Sequence, residues 1–140
     1  MNYPRLSLAA LAAFVAYFIL GGIVFAVTPL ASEFQKYPAV FRPQREQLSM
    51  MPVGMAAMFL SVVAVGAIFA QTHREGSNLL QGASFGALIG LFAACAFGMH
   101  NYVNLNVGMA LSIGESIGAI LEWTVVGIVL ALVYRPKQAA

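Results

Sequence analysis

Residues 107–134, VGMALSIGESIGAILEWTVVGIVLALVY, decide the fold. The stretch is 28 residues long and carries two acidic side chains, Glu115 and Glu122, with no basic one. A helix rises about 1.5 Å per residue, so about 20 apolar residues cross the roughly 30 Å of hydrocarbon in a bilayer. The run exceeds that length. Three further runs, at residues 6–27, 50–70 and 79–99, also reach it. Together the four take 92 of the 140 residues, and 10 of the 12 charged side chains fall outside them. The expectation is an all-α integral membrane protein, with one transmembrane domain over residues 1–140. Short connections after the second and third helices predict a four-helix bundle of up-and-down antiparallel topology.

Composition sets the exclusions. The chain is 61% hydrophobic and 9% charged, against roughly 25% charged in a soluble domain. No stretch is left for a soluble domain, and a net charge of +2 gives no electrostatic footprint for nucleic acid. The single cysteine, Cys95, excludes an internal disulfide, a CxxC redox pair and a cysteine-rich zinc site. The first apolar run is 22 residues long, beyond the about 7–15 of a secretory signal. It is therefore expected to stay as an uncleaved helix, despite the small residues spaced around Val24 and Ala26.

The connections are punctuated as helices require. Thr28-Pro29 closes the first helix, since proline cannot continue it and disfavours α geometry in the residue before. Residues 28–49 read as an interfacial loop with five charges and with Phe34, Tyr37 and Phe41 at headgroup level. Pro43 allows the second helix to start as early as residue 43, and Pro52 predicts a kink. Residues 74–78 read as a tight polar turn, and Asn101, Asn104 and Asn106 as another. Arg5, Arg74, Arg135 and Lys137 fall on one side, and Lys36, Arg42 and Arg45 on the other. Four against three biases both termini to the cytoplasmic side of a bacterial-type inner membrane, with Tyr3 and Tyr134 at that interface. Val-Gly-Met-Ala occurs at 53–56 and again at 107–110. In a chain this rich in those residues, four in common do not establish duplicated halves.

Gly82, Gly86, Gly90, Ala94 and Gly98 recur at every fourth position of the third helix. Lipid tails give helices no hydrophobic reason to associate, so close packing over small residues does. The expected answering surfaces are Gly114 and Gly118 on the fourth helix and Ala9, Ala12, Ala13 and Ala16 on the first. The strip serves packing within the chain or a contact with a second copy or a larger membrane complex.

Glu115 and Glu122 are seven residues apart, two turns less about 20°, and share a face with Ser112 and Ala119. An intramembrane carboxyl is expensive and marks a functional site by default. With no basic residue in any span, protonation or hydrogen bonding must satisfy the pair. The expectation is that one or both are neutral and donate a hydrogen bond. Equal depth from the span centres groups Tyr17 and Ser61 with Glu122. Glu115 lies roughly 8 Å nearer the first connection, level with Gly22, Gly54 and Cys95, whose small size predicts a cavity. Trp123 beside them offers an aromatic face to an apolar amine or quinone-like ligand.

Other candidates fail on placement. His73 and His100 fall in connections on opposite sides and cannot share a metal. Met51, Met55 and Met58 share a face, but thioethers also serve as gap fillers. No phosphate loop, HExxH or serine elbow is present, so neither cofactor nor metal is expected. No motif carries a resemblance to a known small four-helix family. The sequence therefore predicts a non-enzymatic accessory or assembly subunit, or a self-associating scaffold, in the lipid bilayer. The alternative is a small proton- or cation-linked transporter or channel using Glu115 and Glu122.

Overall fold

The computed structural model describes residues 2–73 and 78–134, and every regular element among them is helical. In chain order these are α1 (Tyr3–Val27), α2 (Leu30–Gln35), α3 (Gln44–Thr72), α4 (Leu79–Ala93), a π-helical segment (Ala94–Met99), α5 (His100–Asn104) and α6 (Met109–Val133). Four helices are long and apolar enough to cross a membrane: α1, α3, the continuous stretch Leu79–Asn104, and α6.

Local chemistry sets the helix ends. The Asn2 side chain accepts from the Arg5 amide at 3.3 Å to cap α1. At the other end the Val24 carbonyl accepts from both the Thr28 amide at 3.1 Å and the Thr28 hydroxyl at 2.7 Å, and Pro29, which has no N–H, ends the helical ladder. Asn78 and Gln81 form a reciprocal capping box at the start of α4, satisfying two amides that would otherwise lack partners. Pro43 lies immediately before α3 rather than inside it, and Pro52 lies within that helix.

Two boundaries differ from expectation. The interfacial loop is shorter, because Leu30–Gln35 is helical and α3 begins at Gln44. The third span runs to Asn104, five residues past the predicted end, so Asn101 and Asn104 sit in a helix rather than a turn. Of the expected polar turn at 74–78, all but Asn78, which caps α4, lies outside the described residues, as do Arg135 and Lys137.

The π-helical segment follows from the glycine spacing. A step of four residues overshoots a 3.6-residue turn by about 40°, so a four-residue repeat drifts around a straight α-helix. The wider turn at Ala94–Met99 takes that drift back. It keeps Ala94 buried and leaves a Cβ at Gly98 only 2.5 Å from the Ser116 hydroxyl.

Helix α6 is central, with α4 on one face and α1 on the other, while α3 leans mainly on α1. The main core joins Leu6, Ala9, Ala10 and Ala13 of α1, Val62, Phe69 and Ala70 of α3, and Trp123, Val126, Leu130 and Ala131 of α6. Tyr134 is packed into this core, and its hydroxyl accepts from the Asn2 amide at 3.4 Å. Packing is therefore densest toward the start of α1 and the end of α6. At the other end a smaller cluster of Leu30, Val107 and Leu111 holds α2 against the start of α6.

Candidate functional site

The α4–α6 seam is closed by backbone. A Cβ at Gly82 would stand 2.5 Å from the Gly127 carbonyl oxygen, and one at Gly90 would stand 2.6 Å from Ile120 Cα. At Gly86 it would collide with the Trp123 carbonyl oxygen. The strip expected on the third helix is thus occupied within the chain. Its answering residue is Gly127, whose own Cβ would strike the Gly82 carbonyl, and not Gly114 or Gly118. Those two glycines lie on another side of α6, where Gly114 receives Leu30 of α2 and Gly118 faces Val24 of α1.

On that side the helices do not close. A cavity of about 250 Å³ lies between α1, α2 and α6 and is lined by Tyr17, Gly21, Val24, Phe25, Leu30, Phe34, Glu115, Gly118, Ala119 and Glu122. Both intramembrane carboxyls reach it. The Tyr17 phenol and the Glu122 carboxyl line it together, close enough to interact electrostatically. Gly21 makes room for that carboxyl, since a Cβ there would stand 2.8 Å from Glu122 Oε1.

The elements explain this placement. Seven residues of α-helix return Glu115 and Glu122 to one face, and the small residues Gly118 and Ala119 between them leave the hollow. The short α2 then folds back over the opening, placing Leu30 and Phe34 as its outer wall. Glu33 on α2 accepts from the Lys36 ammonium at 2.5 Å. That hydrogen bond holds the Lys36 ammonium above the usual lysine range.

Other expected members lie elsewhere. Ser61 is exposed on α3 and donates to the Ala57 carbonyl of its own helix at 3.0 Å, so it takes no part in a Tyr17–Glu122 cluster. Equal depth did not bring it in, because α3 leans on α1 with its far half. Ser112 does not line the cavity. It is fully buried, and its hydroxyl lacks a partner among the described residues. Trp123 is a core residue whose ring meets that of Tyr17 at 5.8 Å. Cys95 is exposed, and nothing stands within 4 Å of a Cβ at Gly22 or Gly54. The small neighbours of Glu115 are instead Gly118 and Ala119 of its own helix.

Sequence reasoning missed Gly21, Phe25, Leu30 and Phe34. The only available signal was Pro29, which turns the chain back at the head of the first helix. Met50, Met51 and Met55 lie on the exposed first half of α3, and His100 is exposed. His73 stacks on Phe69 with ring centroids 4.3 Å apart. No group of three His, Cys, Asp or Glu able to hold a metal occurs among the described residues. No known protein family, curated protein or solved structure matches the chain.

Proposed function

We propose that the chain is a small membrane transporter that exchanges protons against a cation at Glu115 and Glu122. The observation that carries this reading is the cavity shared by both carboxyls and Tyr17. Its lining contains no lysine or arginine, so a carboxylate formed there is neutralised by a proton or by an incoming cation. Each ligand must then displace the other, which is the elementary requirement for coupled exchange.

The membrane arrangement belongs to the same proposal. Asn2 lies against Tyr134, Gly21 against Glu122, and Val24 against Gly118. Gly82 meets Gly127, and Gly90 meets Ile120. Residue numbers rise on one helix as they fall on its neighbour, which supports an up-and-down antiparallel bundle in the bilayer. The basic-residue bias favours both termini in the cytoplasm of a bacterial-type cell. The cavity then lies toward the opposite side, with α2 as its cover. Leu30 seats on Gly114 through a flexible side-chain tip, a contact that can be made and broken at modest cost.

Reconstitution tests this directly. Liposomes containing the protein are expected to dissipate a proton gradient when a counter-cation is supplied on the opposite side, and Glu115→Gln and Glu122→Gln should each abolish that flux while the protein still purifies as a folded species. Unchanged flux in both variants would make the carboxyls structural. A reading as an accessory or assembly subunit has one observation in its favour. The first half of α3, with Met50, Met51, Val53 and Met55 exposed, makes little contact with the other helices. It predicts co-purification with a larger complex in mild detergent.

A further inference from the structure

A second cavity of about 440 Å³ adjoins the first and is lined by Phe25, Phe34, Val40, Phe41, Arg42 and Gln47. Phe25 and Phe34 line both cavities, so their rings, 5.9 Å apart, form a common wall. Phe41 extends it, with its ring 4.7 Å from that of Phe34. Toward α6 the space ends in two carboxyls and a phenol. Toward α3 it ends in an aromatic chamber whose lining also includes Gln47 and Arg42, the latter paired to Glu46 at 3.8 Å.

We infer that the two cavities form one binding site for a lipophilic organic cation, its charged end among Glu115, Glu122 and Tyr17 and its apolar body along Phe25, Phe34 and Phe41. The inference rests on the exchange reading above and names its substrate class. Three features select this class. Only acidic and neutral groups line the inner end, so an anionic or zwitterionic end is repelled there. Calcium takes 6–8 oxygen ligands and magnesium demands a near-octahedral set, which two carboxyls and one phenol do not supply. The aromatic wall suits a weakly hydrated cation, because ring faces attract positive charge most strongly once it is desolvated. An inorganic ion alone makes no use of the larger, apolar chamber. Together the two spaces have the size of small-molecule sites, about 300–1,000 Å³.

The lone tryptophan provides the readout, since Trp123 meets the ring of Tyr17 at the cavity edge. The full-length protein in detergent at fixed pH is titrated with phenyltrimethylammonium and, separately, with its neutral isostere tert-butylbenzene. The two differ only by nitrogen for carbon and the charge that follows. Saturable change in Trp123 emission with the cation, at least tenfold weaker with the isostere, is the expected result. Glu122→Gln and Glu115→Gln should each weaken the cation response at least tenfold, and Phe34→Ala by a smaller factor. If Glu122→Gln fails to fold, Glu115→Gln and Phe34→Ala still decide the matter. Equal response to the two probes, or cation binding indifferent to all three substitutions, overturns the inference. Proton flux in liposomes driven by an inorganic cation, with no binding of phenyltrimethylammonium, also overturns it while leaving the exchange reading intact. Loss of both sinks the two together.

Discussion

The two faces of α6 carry the same kind of residue and put it to opposite use. Toward α4, glycines bring backbone onto backbone, and no space remains between Gly86 and Trp123 or between Gly82 and Gly127. Toward α1 and α2, Gly114, Gly118 and Ala119 are met by side chains, and a cavity of about 250 Å³ is left beside them. Small residues therefore do not by themselves predict tight packing. What matters is whether the opposing helix also offers backbone. Helix α4 does, through Gly82, Gly86 and Gly90, whereas α1 presents Tyr17, Val24 and Phe25.

Substitution at Gly86 tests the closed face hardest. Alanine there sets a methyl group against the Trp123 carbonyl, with Thr124 Cα 2.9 Å away. Backbone cannot rotate aside as a side-chain tip can, so α4 and α6 must separate. Overpacking of this kind costs on the order of 3 kcal/mol. Gly86→Ala should therefore lower the thermal unfolding midpoint in detergent far more than Gly22→Ala, whose Cβ meets nothing within 4 Å. Equal midpoints for the two variants would break the contrast between the faces.

On the open face the matching change is Gly21→Ala. Its Cβ would lie 2.8 Å from Glu122 Oε1, the end of a flexible side chain beside an empty volume. The carboxyl moves and the helices stay. The expected outcome is a thermal midpoint close to that of the unchanged protein with proton flux in liposomes reduced at least tenfold. A large fall in stability would show that this face is as tightly determined as the other. Gly22→Ala, whose Cβ meets nothing within 4 Å and which does not line the cavity, serves as the control and should alter neither quantity.

The sequence made some of this legible and hid the rest for physical reasons. The four long helices follow from length and apolarity, and Asn78, Thr28 and Pro29 mark their ends by well-defined chemistry. The shared face of Glu115 and Glu122 follows from helical periodicity, and Tyr17 from depth. Depth alone cannot say how far a helix leans, which is why Ser61 was grouped with Tyr17 although it faces outward. Periodicity on a straight helix also cannot show the π-helical segment that keeps Gly98 against Ser116. The fold-back of α2 depends on Leu30 finding Gly114, a contact 84 positions away in the chain. No local pattern encodes it.

Smaller effects refine the contrast within the closed face. Ser112 and Ser116 are one turn apart on α6, both buried, yet only Ser116 is satisfied, donating to the Ser112 carbonyl at 2.7 Å. Ser116→Ala removes that bond and should cost about 1 kcal/mol. Ser112→Ala removes a buried hydroxyl without a partner among the described residues and should be neutral or stabilising by up to about 1 kcal/mol. Thermal midpoints moving in the same direction by the same amount would mean that the Ser112 hydroxyl is satisfied after all.

The smallest expected effect lies on the cover of the open face. Lys36 is exposed, whereas the Glu33 side chain that holds it is only 17% exposed. The hydrogen bond that the ammonium donates to Glu33 raises it above its ordinary value of 10.5, so the folded chain holds this proton more tightly than the unfolded one. The resulting stabilisation is complete below that ordinary value and is lost as pH rises through the raised one. Solvent around the ammonium screens the pair, which keeps the effect slight. Comparison with Lys36→Gln isolates it, because other groups that titrate at high pH are common to both proteins. The unchanged protein should unfold at a slightly higher temperature than the variant at pH 9, and the two should converge above the lysine range. A difference that persists at the highest pH would mean that Lys36 holds α2 through the contacts of its alkyl chain, and that the cover of the cavity is apolar throughout.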